Sequence, residues 1–244
     1  MQNMTLAPAG PPPLTEAEYW RKYKLIEDDV HAAMLFCYTH RAINHIPARE
    51  ADISVAMNRT PEFWIVTSSS LQSMLFIVLA RILDSDGEVH SIHKLLNATT
   101  AHPEFFSKAA RRARVLRNAS TPWQPEMLAE YDRNNTWEPT TDDLRTLKKD
   151  LRPHKAKFDE IYRPIRNHVA HLILKSDSEI AKLYEGTLKA DIDTILCFLH
   201  NLVKAIWHMA YNGQPRNINR DNYGYSDKRG RIIKETEDLL RRLP

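Results

Sequence analysis

The sequence predicts an all-α protein, an up-and-down four-helix bundle with additional short helices and a C-terminal helical extension. Three observations carry this prediction. Four long segments repeat apolar residues at spacings of four and three, the signature of helices with one buried stripe. The 244 residues include only six glycines but fourteen prolines, which suits long helices separated by proline-marked joints better than the tight turns of a β-rich chain. A chain of this length can also bury a core without staples, and helices with such seams are satisfied by packing on one another.

Residues 1–14, with Pro8 and Pro11 to Pro13, hold too little apolar content to fold alone and read as a disordered lead-in. Thr15 followed by Glu18 forms a capping box, and Tyr19, Tyr23, Ile26, Val30, Ala33 and Cys37 then mark a helix expected to reach about Ile46, before Pro47. Thr60-Pro61 is a second start signal. The stripe after it, Leu71, Met74, Leu75, Val78 and Ile82, should end near Asp84. Ser91 to Asn97 and Pro103 to Asn118 read as short helices, with Lys108, Arg111, Arg112, Arg114 and Arg117 expected on the surface of the latter. Residues 119–140, with Pro122, Pro125 and Pro139, read as a joint.

Thr141 is placed to cap a long helix with the seam Leu144, Leu147, Leu151, Phe158, Ile161 and Ile165, continuing through Val169 and Leu172. Pro153 and Pro164 interrupt it. Each removes an amide donor and crowds the preceding turn, so a kink or restart is expected at one of them. Leu188, Ile192, Ile195, Leu199, Leu202 and Ile206 mark the last large helix. The expected organisation is thus lead-in 1–14, bundle 15–212, and a loop with a C-terminal helix over 213–244 that adds little to the core.

Cys37 and Cys197 sit in apolar helical runs with neither a metal-binding spacing nor a disulfide framework, which fits a reducing cytoplasm. The longest uninterrupted apolar run, Met74 to Ala80, is too short to span a bilayer, and Met1 to Pro13 lack a leader pattern, so neither export nor membrane insertion is expected. Net charge is only +3, but Arg145 to His171 hold eight Lys or Arg against three acids. That excess either attracts a polyanion or solvates an outer helix face.

Arg166-Asn167-His168-Val169-Ala170-His171 is the most informative stretch. An Arg followed after four residues by a His carries little weight alone. Twenty Arg and eleven His in 244 positions yield about one by chance, and Arg163 with His168 makes a second. Position adds more. With Ile165 on the seam, a regular helix turns Asn167 and His171 to the outer face as neighbours four apart, while Arg166 flanks the core and must reach around. His168 borders the core, where a packing role is as reasonable as a binding one.

Arg-Asn-x-x-x-His late in a four-helix bundle resembles the signature of the HEPN superfamily of ribonucleases and RNA-binding domains, and is similar to its abortive-infection, AbiU-type branch. Ala80-Arg81-Ile82-Leu83-Asp84 followed by Ser91-Ile92-His93-Lys94-Leu95-Leu96 resembles an element of that branch; the likeness covers about residues 20 to 210. The resemblance implies a HEPN-like homodimer whose motifs meet across a cleft and cut RNA without a metal or cofactor, leaving a cyclic phosphate. His171 would then be the acid or base and Arg166 the electrostatic clamp, with Asn167 orienting the histidine or the phosphate. Arg163, His168, Lys155 and Lys157 are the RNA-contact candidates. An antitoxin or regulatory protein is a further candidate partner. Some members carry a tyrosine, modified by a partner enzyme, two residues after the motif histidine; here it is Ile173, which puts that control in doubt. The competing reading is a non-catalytic helical RNA-binding or protein-assembly module.

His90 with His93, or His168 with His171, lack a third ligand at a fitting distance and are weak as metal sites. His200 and His208 are expected on a polar or interface face, and Arg81 is expected to pair with Asp84.

Overall fold

The computed structural model describes residues 14–85, 90–118, 124–171, 178, 189–218, 221 and 223–243, and the side chains among them other than those of 118 and 169–171. Residues 1–13 of the expected lead-in, Leu172, Ile173 and Leu188 lie outside the described residues; Leu14, expected to be disordered with them, packs against the core. Those described form helices and no strand. The bundle's long members are α1 (Glu16–His45), α3 (Pro61–Leu83), α7 (Thr141–Lys157) continued by α8 (Arg163–His171), and α9 (Lys189–Tyr211). Between or after them lie α2 (Ala51–Met57), α4 (Ile92–Ala101), α5 (Lys108–Asn118), α6 (Pro125–Asn134) and α10 (Tyr225–Leu240).

The starts follow local chemistry. Thr15 and Glu18 make the expected capping box, satisfying amide groups that the first turn leaves without helical partners. For α7 the cap is Thr140 with Asp143, one residue before the expected Thr141. The joint expected over 119–140 contains α6, because Pro125 occupies the first turn of a helix, where a missing N–H costs nothing. Helix α2 was not legible: seven residues without a side-chain cap bond leave little pattern. Pro103 to Asn118 divides into a 3₁₀ turn, Pro103–Phe106, and α5, with the Ser107 hydroxyl accepting from the amide of Ala110.

The core joins α1, α3, α4, α7, α8 and α9, with Tyr225 and Ile232 of α10. Helix α10 packs along α1, so the tail contributes to the core it was expected to leave almost untouched. Along α3 the buried face begins only at Leu75; Leu71 is half-buried and Met74 exposed, so the stripe is shorter than its pattern. By length and composition α3 could cross a membrane, a property that uninterrupted apolar runs do not reveal. Its C-terminal half is core here, while Phe63, Ile65 and Val66 are exposed.

Two arginines expected on the surface of α5 are buried instead. Arg114 donates to Glu16, to the Phe105 carbonyl at 2.7 Å and to the Ala210 carbonyl, and lies over the rings of Trp20 and Tyr211. Arg111 donates to the Trp137 carbonyl at 2.8 Å and packs so closely on Gly213 that a β-carbon there would collide with its guanidinium. A polar pattern cannot reveal this, because arginine is buried only where tertiary carbonyls and carboxylates meet it. His200, expected on a polar face, is likewise buried, its Nε2 3.0 Å from the Tyr223 carbonyl. Arg81 pairs with Asp29 of α1 rather than with Asp84.

The interruption expected at Pro153 or Pro164 takes a specific form. Pro153 stays inside α7, whereas Phe158–Tyr162 widen into a π turn closed by the Arg163 amide donating to the Phe158 carbonyl. Pro164 has no amide for the Glu160 carbonyl and its ring crowds that group, so the extra residue falls just ahead of it. The insertion moves the buried register from Ile161, half-buried, to Tyr162, fully buried, and returns Ile165 to the core.

Candidate functional site

Helix α8 leaves the π turn and packs on the C-terminal half of α3. A polar cavity of about 240 Å³ opens at this junction, lined by Ala80 and Asp84 from the end of α3, Phe158 from the turn, and Arg163, Arg166 and Asn167 from α8. Arg166 Nη1 donates to Asn167 Oδ1 at 3.0 Å. Both side chains are half-buried, so Asn167 sits against α3 instead of facing wholly outward. Arg166 does reach round to it.

The other cations of this stretch are compensated within the chain. Arg163 Nη2 lies 2.8 Å from Asp159 Oδ1 and 3.9 Å from Asp84 Oδ1. Lys155 pairs with Asp159 and Lys157 with Asp191. Among the described residues no carboxylate is within ion-pair distance of Arg166, so its positive charge is the least compensated of the four. An anion entering the cavity would meet Arg166 with Asn167, with Arg163 and Asp84 also on its lining. His168 is half-buried next to Asn167. His171 is the last residue of α8, one turn beyond Asn167, and its side chain lies outside those described.

A further residue near this junction is His93, weak as a metal ligand and part of the Ser91–Leu96 element. His93 of α4 is half-buried, and the Leu83 carbonyl, Lys155, Asp159 and Asp84 lie near enough to influence its charge. Burial, and then the positive charge of Lys155, hold its pKa below the ordinary histidine value, and its Nε2 is buried without a partner among the described residues. Its placement depends on α4 folding back across α7, a tertiary relation with no local signature. No three His, Cys, Asp or Glu side chains cluster as metal ligands among the described residues.

The family model of HEPN AbiU2 matches residues 17–234, nearly the whole described bundle and most of α10. The chain belongs to the AbiU2 family of HEPN proteins. Membership agrees with the all-helical bundle, and the matched range runs through both the α3–α8 junction and the helix that follows the bundle. No curated protein and no solved structure matches the chain significantly.

Proposed function

We propose that this AbiU2-family chain is a metal-independent endoribonuclease that cleaves RNA by 2′-hydroxyl attack at a site formed across a homodimer, working in the cytoplasm as a defence or toxin-type protein. The observation that carries the reading is the Arg166 guanidinium: half-buried, hydrogen-bonded to Asn167, and facing a polar cavity without a carboxylate of its own among the described residues. A guanidinium so held suits a phosphate whose charge grows in the transition state, since its planar donors match two oxygens at once.

In the proposed reaction the 2′-hydroxyl oxygen attacks the adjacent phosphorus and loses its proton to a base. The bond to the 5′-oxygen breaks, that oxygen takes up a proton, and a 2′,3′-cyclic phosphate remains. His171 serves as base or acid, Arg166 holds the non-bridging oxygens, and Asn167 fixes the guanidinium. Arg163, His168, Lys155 and Lys157 are proposed to guide RNA, the three cations as partly neutralised neighbours. A regulatory or antitoxin protein is a proposed further partner.

The test is digestion of varied RNAs in EDTA by the wild type, Arg166→Ala and His171→Ala, with analysis of product ends. Cleavage that persists in EDTA, leaves cyclic phosphates and disappears in both variants supports the reading; intact RNA, or variants that cut like the wild type, overturns it. A second reading, a non-catalytic assembly module, is favoured by one observation: Phe63, Ile65 and Val66 expose apolar surface on α3. RNA left intact by a protein whose oligomer dissociates on Ile65→Asp would select it.

A further inference from the structure

A second cavity, of about 210 Å³, lies between α1, α3 and the start of α9. Its floor is apolar, with Cys37, Leu75, Phe76 and Ile192, and its rim carries His40, Arg41, His45 and Lys189. No acid lines it. Asp193, which accepts from Arg41 Nη1 and from the Tyr38 hydroxyl at 2.7 Å each, stands behind Arg41 and balances that one charge.

The rim has unused donors. Among the described residues Arg41 engages two of its five N–H groups, toward Asp193 and the Lys189 carbonyl, and Lys189 engages one of three, toward His45 Nε2 at 2.8 Å. The crowding of cations is felt by their neighbours: Lys189, and then burial, hold the His45 pKa below its ordinary value, while burial, then Arg41 and Lys189, do the same for His40. Both histidines therefore favour the neutral form, with Lys189 the exposed charge at the mouth. A site with surplus positive charge at its rim and hydrocarbon at its floor is complementary to a molecule negative at one end and apolar at the other.

We propose that this cavity binds a small organic anion, a carboxylate or phosphate monoester on a compact apolar body, with Lys189 and Arg41 as charge partners and the Leu75–Phe76 floor receiving the body. The site is separate from the α3–α8 junction, and its occupancy does not depend on nuclease activity. Its floor packs on the neighbouring π turn: Phe76 stacks on Tyr162, ring centroids 6.0 Å apart.

Isothermal titration of the full chain with phenyl phosphate, benzoate and inorganic phosphate tests it. Phenyl phosphate or benzoate should bind one to one, and inorganic phosphate at least about tenfold more weakly, because it leaves the floor empty. Lys189→Ala, an exposed first-turn residue whose removal spares the core, should weaken the better ligand about tenfold. Absence of binding at millimolar concentrations overturns the proposal, as does Lys189→Ala binding equal to the wild type. Inorganic phosphate binding as tightly as phenyl phosphate also overturns it.

Discussion

Arg166 donates a 3.0 Å hydrogen bond to Asn167, its immediate neighbour on α8. Consecutive helical residues point about 100° apart, so this contact forms only because the arginine stem bends across the helix surface. The amide thus holds one end of the guanidinium and leaves its other donors toward the cavity shared with Asp84. In the proposed reaction, Asn167→Ala should lower kcat on RNA about tenfold by loosening the clamp. Arg166→Lys should lower it about a hundredfold, since a lysine cannot present the planar fork. Melting temperatures of both variants should stay near that of the wild type. Full activity of Arg166→Lys would reduce the clamp to a point charge.

Arg114 sets a separate expectation for stability. It is buried at the junction of α1, α5 and α9, and two main-chain carbonyls and Glu16 depend on it. Arg114→Met removes the partner of a partly buried carboxylate and of those carbonyls, so urea unfolding should show a loss of about 3–5 kcal/mol. A loss below about 1 kcal/mol would mean that neighbouring groups or water replace it.

Tyr162 should respond in the opposite direction. Its hydroxyl is buried with no hydrogen-bond partner among the described residues, and burial pushes its pKa far up. Tyr162→Phe keeps the ring stacked on Phe76 and removes a desolvated polar group. Stability should rise by about 1 kcal/mol, seen as a melting temperature about 2–4 °C higher. A lower melting temperature would show that the hydroxyl is satisfied.

Stability should also fall in mild acid. His40, His93, His154 and His200 are all held below the ordinary histidine value, with burial the largest cause in each. The unfolded chain, whose histidines titrate near ~6.5, therefore binds protons more readily than the folded one, and stability rises with pH. The contribution is complete above the unfolded value and is lost as pH falls from there toward the lower folded values. The urea midpoint should accordingly be lower at about pH 5.5 than at about pH 7.5. His200→Gln, which preserves a donor for the Tyr223 carbonyl, should flatten that dependence; an unchanged midpoint would contradict it.

The long elements were readable because their information is local. Alternating apolar spacings located α1, α7 and α9, and Thr15 with Glu18 set the start of α1 to the residue. What escaped was set by tertiary partners. Arg111, Arg114 and His200 look like surface residues until the carbonyls that receive them are assembled from distant segments. Arg81 finds Asp29 across the bundle in preference to its helical neighbour. Pro164 signalled an interruption, but whether the chain kinks, restarts or widens depends on packing; the π turn shifts the seam by one residue to Tyr162.

At the candidate site, the sequence singled out Arg166 and Asn167, and their mutual contact accords with the expected reach of the arginine. The basic run overstated the available charge, because Lys155, Lys157 and Arg163 find acids one turn away or on other helices. The closeness of His93 to Asp84 and Asp159 was hidden by its distance in the chain.

The central claim is that Arg166 is the catalytic cation, while its compensated neighbour Lys155 only helps to guide RNA. Single-turnover cleavage of one labelled RNA in EDTA by Arg166→Ala and by Lys155→Ala, each against the wild type, tests it most directly. The account predicts a loss of at least about a hundredfold for Arg166→Ala and a change within about threefold for Lys155→Ala. Equal losses in the two variants, or Arg166→Ala cleaving at the wild-type rate, would contradict it.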